Sequence, residues 1–545
     1  MTYVFRTKPF AHQKKVHALS RRRPAFAYLM EQGTGKTKVC IDQAGDLFEG
    51  NLIDALVVVG PNEGDIPANW LDQLDLHLPK RIKYVSARLS ANMRAKMRER
   101  LRVAMAPSSS GRRLRVITTN VELLRAGSSQ FNALLKFTRE HRVLLVIDES
   151  TRIKSHAAAQ TKGAIKLGRN AAFRRICSGT AIVQGPLDAY SQFNFLDPAI
   201  LGFESFTAFR AHYCQMLPPE HGLVRYTVEK MLAKRRYASP EQRASAARHM
   251  VSIVQIPQRM PNGEVVYKNQ EQLAATIKPH SFRVLKEDCL DLPPKLYHKR
   301  YVELTPAQRA IYNIVKTKVV AEFVADQRLH RISAPLAIVR LLRLQQIVCN
   351  HYAEDADDVD IELLRRPLPK RIEVATRGKK GEVVINNPRM AATLAIIDSL
   401  RPERKVIIWC RHHPEIHELV ETLTARFGAA AVGQIHGKVT GDDRVAQRKR
   451  FQNVKDPMRF MVGQVRSGIG IDLYAATVEI YYSNSYSLDE RLQSEDRAHR
   501  IGQTMPVDIY DLEARDTLDT RIIEMLRAKK KISEVIMGDD PINWI

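Results

Sequence analysis

The chain has 545 residues, with 85 Lys and Arg against 59 Asp and Glu, a formal charge of +26 and 44% hydrophobic residues. That length exceeds one ordinary domain and predicts two to four compact units, and the hydrophobic content is enough for well-formed cores. No apolar stretch approaches a membrane span and the N-terminus lacks a secretory h-region, so a cytosolic protein is expected.

The positive charge is clustered. Residues 1 to 40 carry nine basic side chains and Glu31 as the one acid, and residues 80 to 115 carry twelve with Glu99 alone. A polyanionic partner is implied, nucleic acid first among them. The six cysteines are scattered without a Cys-x-x-Cys pair, which argues against a disulfide framework or a zinc ribbon and for reduced, buried thiols. Cys410, His412, His413 and His417 have no standard ligand spacing and are not read as a metal site.

In chain order, the apolar runs Phe26 to Met30, Ala55 to Val59, Arg115 to Thr119, Val143 to Ile147 and Arg175 to Ser178 alternate with helical stretches, the rhythm of a parallel α/β domain. Residues 86 to 104 read as a basic helix, solvated or facing a polyanion. From about 200 to 385 the pattern turns helical, charged and irregular, with a hairpin signal at Met260-Pro261-Asn262-Gly263 and a polar loop from Glu354 to Lys380. The α/β rhythm returns from about 388 in Lys405 to Trp409, Arg459 to Val462, Val478 to Tyr482 and Val507 to Asp511, and a charged helical tail runs from Leu518 to Val535. The domains expected are a first α/β lobe (1–200), a helical connector (201–385), a second α/β lobe (386–515) and a helical tail (516–545).

The chemistry concentrates in Gln32-Gly33-Thr34-Gly35-Lys36-Thr37 and in Asp148-Glu149, which ends the Val143 to Ile147 run. Gly33 and Gly35 permit a tight turn whose N–H groups, with Thr34, face phosphates; Lys36 reaches the β/γ-phosphates and the Thr37 hydroxyl is placed for Mg²⁺. A strand buried on both faces delivers Asp148 and Glu149 at its carboxyl end, where open α/β sheets bind ligands. Asp148 is expected to hold the metal, directly or through water, and Glu149 to activate the attacking water. The pair of motifs describes a nucleoside triphosphatase.

These and further segments resemble the superfamily two helicase-like ATPases, and within them the Swi/Snf class of double-stranded DNA translocases. Phe10-Ala11-His12-Gln13 resembles the adenine-reading segment, Val58 to Pro61 with Trp70 motif Ia, and Thr118 to Glu122 motif Ib. Asp148 to Lys154, with its Arg-Ile-Lys extension, resembles motif II, and Ser178-Gly179-Thr180-Ala181-Ile182 resembles motif III. Ser281-Phe282-Arg283 through Leu292-Pro293-Pro294-Lys295 resembles the connector, and Val406 to Cys410 and His436-Gly437 follow it. Ser467 to Leu473 resembles motif V, and Gln493 to Gln503 is a close match to motif VI. Ser150-Thr151 replaces the Ala-His found in many relatives, so hydroxyl hydrogen bonds are expected to link motif II to motif III. Ala181 replaces a proline and Asp472 an asparagine.

The resemblance implies two RecA-like parallel α/β lobes with helical insertions between them and a helical tail. It implies ATP and Mg²⁺ as cofactors, duplex DNA as the track, and a monomer in a bacterial or phage-infected cell. Gln13 would select adenine; Gly470 and Asp472 would join the nucleotide site; Arg497 and Arg500 would serve the transferring phosphate. Ser178, Gly179, Thr180 and Gln493 would couple the site to movement, and Thr118, Thr119, Gly437, Arg466 and Ser467 would grip the DNA backbone. A strand-separating helicase on DNA or RNA shares the same core, and an ATP-gated scaffold with vestigial hydrolysis is a further reading, opposed by the intact Lys36, Asp148, Glu149, Arg497 and Arg500.

Overall fold

The computed structural model describes residues 3–537 except 62–65, 91–92, 94, 107–111, 126, 180, 184, 236–238, 261–264, 307, 318–343, 351–374, 378–382, 386, 440 and 469–471. The chain divides into two compact units, residues 1–291 with 529–545, and residues 292–528. No helix among the described residues is long and apolar enough to cross a membrane.

The first unit is a seven-stranded sheet in the order β3-β4-β2-β5-β6-β1-β7, with every pairing parallel. Its strands are β1 Ala25–Met30, β2 Ala55–Gly60, β3 Tyr84–Leu89, β4 Leu114–Asn120, β5 Val143–Asp148, β6 Phe173–Cys177 and β7 Ser281–Val284. The helices flanking these strands are α1 Ala11–Ser20, α2 Lys36–Glu49, α3 Ile66–His77, α4 Ala95–Met105, α5 Ser129–Glu140, α6 Ala159–Gly168 and α7 Asp188–Leu196.

Strand alternation explains why the runs are apolar throughout. In β5, Val143, Leu145 and Ile147 pack into one core while Leu144 and Val146 pack into the other, and β1 and β2 divide their side chains the same way. Both faces are therefore covered, as parallel sheets require. Arg175, fully buried in β6, is tolerated because its guanidinium donates to the carbonyls of Ser20 (3.0 Å) and Arg23 (2.9 Å) and to the Tyr28 hydroxyl (3.2 Å).

The second unit repeats the architecture with six parallel strands in the order β12-β13-β11-β14-β15-β8. They are β8 Lys295–Val302, β11 Lys405–Cys410, β12 Val432–Ile435, β13 Phe460–Gln464, β14 Ala476–Tyr481 and β15 Val507–Ala514, with β9 Ala375–Arg377 and β10 Val383–Ile385 as a separate antiparallel pair. Two parallel α/β lobes are what the two runs of apolar segments imply.

Three expectations are corrected. Residues 86 to 104 are not one helix: β3 occupies Tyr84–Leu89, with Ala87 and Leu89 buried, and α4 begins only at Ala95. An edge strand needs one apolar face, so its alternation is thinner than that of a central strand. The region 201 to 385 is not purely helical, since it supplies edge strand β7 to the first sheet and β8 to the second. Residues 375–377 of the expected polar loop form β9. The hairpin signal at residues 261–263 lies outside the described residues, although Arg259 and Val265 beside it form an antiparallel bridge.

A carboxylate in the middle of a strand breaks the apolar rule of the second core. Glu479 of β14 is fully buried and accepts hydrogen bonds from Trp409 Nε1 (3.1 Å) and the Tyr481 hydroxyl (3.4 Å). Burial, then the charge of Glu495, push its pKa up to about 8, against the opposing pull of Lys295 and Arg491. An unfolded glutamate titrates near about 4.3, so between that value and about 8 the folded chain binds the extra proton and stability falls as pH rises. Glu479→Gln should therefore lose less thermal stability than the parent on going from pH 6 to pH 8.5. Melting curves that decline in parallel would contradict this.

Candidate functional site

The site of the first unit sits at the carboxyl ends of β1, β6 and β5, which are consecutive in the sheet. β1 ends at Met30 and the loop that follows turns through Gly33 and Gly35 at φ +84° and +88°, the left-handed region that glycine enters without a Cβ penalty. Gly35 is the N-cap of α2 and Lys36 its first residue, so the unpaired N–H groups of the helix start open on the loop. A Cβ on Gly35 would also collide with Gln13 Nε2, a second reason for glycine there.

Lys36 is buried, and its ammonium donates to the carbonyls of Met30 (2.9 Å) and Glu31 (3.4 Å). Thr34 N and Oγ1 both bond the Glu31 carbonyl, the latter at 2.7 Å. The loop is thus held by its own backbone. Gln13 of α1 braces it: Nε2 donates to the Thr34 carbonyl (3.0 Å), Oε1 accepts from Phe10 N–H (3.0 Å), and His12 Nε2 also meets the Thr34 carbonyl (2.8 Å). An amide has two donors and two lone pairs, so Gln13 retains capacity for a base edge after bracing the loop.

β5 presents Asp148 and Glu149. Asp148 is 8% exposed; its Oδ2 accepts from Trp70 Nε1 (2.8 Å) and its Oδ1 from Glu149 N–H (3.0 Å). Burial raises its pKa, while the Trp70 bond and the charge of Lys36 pull the other way. Glu149 stands at φ +50°, ψ +59°, a conformation that costs a non-glycine residue about 1–3 kcal/mol and is usually kept for function. Its Oε1 accepts from Gln32 Nε2 at 3.5 Å. The Asp148 carboxylate and the Thr37 hydroxyl are hard oxygen donors of the kind that would suit Mg²⁺.

β6 carries the third motif between the other two. A Cβ on Gly179 would be 3.4 Å from Gln32 N and from Glu31 Cα, so motif III packs directly on the phosphate loop. Arg283 of β7 donates to the carbonyls of Gly179 (2.7 Å) and Leu29 (3.3 Å), fastening motif III to β1. Ser178 is buried, and Thr180 lies outside the described residues.

The expected hydroxyl link between motifs II and III is present, and runs through a residue the sequence did not single out. Ser150 Oγ donates to Gln192 Oε1 (2.6 Å), and Gln192 Nε2 donates to the carbonyls of Ala181 (2.6 Å) and Asp188 (2.8 Å). Lys154 of the Arg-Ile-Lys extension pairs with Asp188 (3.5 Å), which accepts from Val183 N–H (2.9 Å).

In the second unit, motif VI hangs from the helix Leu488–Glu495. Arg491, buried, pairs with Glu495 (2.7 Å) and Asp511 (2.5 Å); Lys295 and the Tyr297 hydroxyl meet the other oxygen of Glu495 at 3.0 and 2.8 Å. His499 Nε2 reaches the Pro293 carbonyl (2.7 Å), so the Leu-Pro-Pro-Lys segment clamps the motif at two points. Arg497 is buried and its carbonyl accepts from Leu473 N–H (2.9 Å), while the Arg500 guanidinium pairs with the Asp472 carboxylate. Motifs V and VI are therefore tied both by backbone and by charge. Gln493 is buried, with Nε2 on Asp489 (3.0 Å); Gly470 lies outside the described residues.

The residues expected on DNA divide. Thr118 and Thr119 are fully buried within β4, and the Thr119 hydroxyl donates to the Leu89 carbonyl (3.1 Å), because β4 is a central strand covered on both faces. Their hydroxyls are not available to a phosphate, which corrects that assignment; Glu122 and Arg125 just beyond are the exposed side chains. Gly437 and Arg466 are exposed, after β12 and β13; the Ser467 side chain lies outside the described residues.

Residues 27–353 match the SNF2-related domain and residues 389–502 the helicase conserved C-terminal domain. The chain is similar to TATA-binding protein-associated factor MOT1 of Saccharomyces cerevisiae, 21% identical over 90% of this chain and 24% of that one. It is also similar to the uncharacterized ATP-dependent helicase MG018 of Mycoplasma genitalium, 22% identical over 94% and 40%. The Sulfolobus solfataricus SWI2/SNF2 ATPase core in complex with dsDNA aligns over 99% of this chain and 95% of its own at 20% identity, with a TM-score of 0.38. The chain spans 12 to 40% of the length of the first curated relatives it matches. With the SNF2-related domain matched over more than half its length, the chain belongs to the SNF2-related family.

Proposed function

We propose that the protein is a DNA-stimulated ATPase that moves along double-stranded DNA without needing to separate its strands, and that it remodels protein–DNA or branched DNA structures as it does so. What carries the reading is one corner of the first sheet, where Lys36, Asp148 and the strained Glu149 converge on a glycine loop that a helix N-terminus opens onto. Lys36 and the loop N–H groups take the β/γ-phosphates, and Thr37 and Asp148 hold Mg²⁺, which neutralises phosphate charge when bound. Glu149 aims the water, Gln13 reads adenine, and Arg497 and Arg500 meet charge growing on the transferring phosphate. Gly470 and Asp472 complete the nucleotide contacts, and Ser178, Gly179, Thr180 and Gln493 relay the state of the site. Gly437, Arg466 and Ser467 contact the DNA backbone. We place the protein in the cytosol, acting as a monomer.

The duplex is favoured over a single strand by the family match and by the clustered +26 charge, which suits sequence-tolerant phosphate contacts. Double-stranded DNA should stimulate ATP turnover more than single-stranded DNA or RNA, with affinity falling steeply as salt rises, and the protein should displace a triplex-forming strand. Efficient opening of a forked duplex without triplex displacement would favour a strand-separating helicase on the same core.

The nucleotide assignment is tested separately. Lys36→Ala should weaken ATP binding, because it removes the phosphate cation, whereas Glu149→Gln should keep binding and stop hydrolysis. Wild-type turnover in Glu149→Gln would remove Glu149 from its role.

A further inference from the structure

Trp70 is a buried aromatic donor bonded to the Asp148 carboxylate. It lies on α3, is 2% exposed, and packs in the core beneath the sheet with Leu74, Val58 and Val39. Packing alone does not need an indole. An indole carries a single N–H, and that donor must find an acceptor once it is buried. Here the acceptor is Asp148 Oδ2 at 2.8 Å.

We propose that Trp70 is a positioning residue for the divalent cation, its N–H holding the Asp148 carboxylate in one orientation. The inference rests on the ATPase reading above. Glu149 N–H holds Oδ1 and Trp70 N–H holds Oδ2, so neither oxygen can rotate without breaking a bond. The carboxylate is nearly excluded from water, and no solvent shell can do this orienting in place of the protein. Because the Glu149 N–H belongs to a residue in the left-handed region, the backbone bond and the indole bond together also fix where the Glu149 side chain departs from the strand. Ligands that orient a metal-binding group from behind typically change metal affinity about 10–100-fold when removed.

The test is the Mg²⁺ dependence of fluorescent ADP binding to the full chain. Trp70→Phe keeps an aromatic ring in the core and removes the N–H. It should raise the Mg²⁺ concentration for half-maximal tight binding about tenfold, with binding in EDTA unchanged. Leu74→Ala, one turn along the same helix, loosens the same packing and should leave the Mg²⁺ dependence as in the parent. Equal Mg²⁺ dependence in Trp70→Phe and the parent, or an equal loss of binding in EDTA, would overturn the proposal and leave Trp70 a packing residue.

A second measurement does not depend on that variant folding. In a chain carrying Trp409→Phe and Trp544→Phe, the remaining indole N–H resonance should move when Mg²⁺ is added to the ADP complex. A resonance indifferent to Mg²⁺ would also overturn the proposal. If the parent itself binds ADP with no Mg²⁺ dependence, or does not bind it, the ATPase reading fails rather than the role of Trp70 within it.

Discussion

The constraint on which everything else depends is that both sheets are wholly parallel and covered on both faces. A strand in such a sheet can carry almost no uncompensated polar group, so the chemistry is pushed to the carboxyl ends, where chains leave the sheet and backbone groups are unpaired. The phosphate loop follows β1, the acidic pair ends β5, and the third motif follows β6. Because β6 lies between β1 and β5, three segments distant in sequence become neighbours by sheet order alone. Two charged residues that enter the interior, Arg175 and Glu479, are each tied by named partners.

The first unit also holds its charged groups in place by means of its own backbone. The carbonyls of Met30 and Glu31 take the Lys36 ammonium, Thr34 folds back on Glu31, and Gln13 with His12 pins Thr34. A cation surrounded by neutral carbonyls is solvated but not neutralised, which leaves its charge available to an anion. The second unit solves a different problem. Its arginine-bearing motif is anchored by a network of full charges, with Arg491 and Lys295 converging on Glu495, so that Arg497 and Arg500 follow a braced helix.

Much of this was legible in the sequence, for a physical reason. Central strands such as Val143–Asp148 are apolar without interruption because both faces are buried, and the glycines at 33 and 35 announce positive φ. Edge strands β3, β7, β8 and β12 escaped notice because an edge has one apolar face and its exposed positions carry charge, as in Lys295 to Tyr301. Thr118 and Thr119 looked like surface hydroxyls because threonine serves equally in a buried strand, and sequence does not distinguish the two. Trp70, Gln192 and Arg283 gained their meaning only when folding brought them 78, 42 and 104 positions along the chain to Asp148, Ser150 and Gly179. The Ser150-Thr151 departure was the one signal pointing to such a relay, and it did not identify the glutamine that carries it.

At the centre stands the claim that Lys36, resting on the carbonyls of Met30 and Glu31, is the cation that receives a triphosphate beside Asp148. A structure of the Glu149→Gln chain with Mg²⁺ and ATP tests this most directly. Lys36 Nζ should have left the Met30 carbonyl for the β- and γ-phosphate oxygens, with Mg²⁺ between Thr37 and the Asp148 carboxylate. A triphosphate bound with Lys36 still on Met30, or bound away from the Gly33–Thr37 loop, would contradict it.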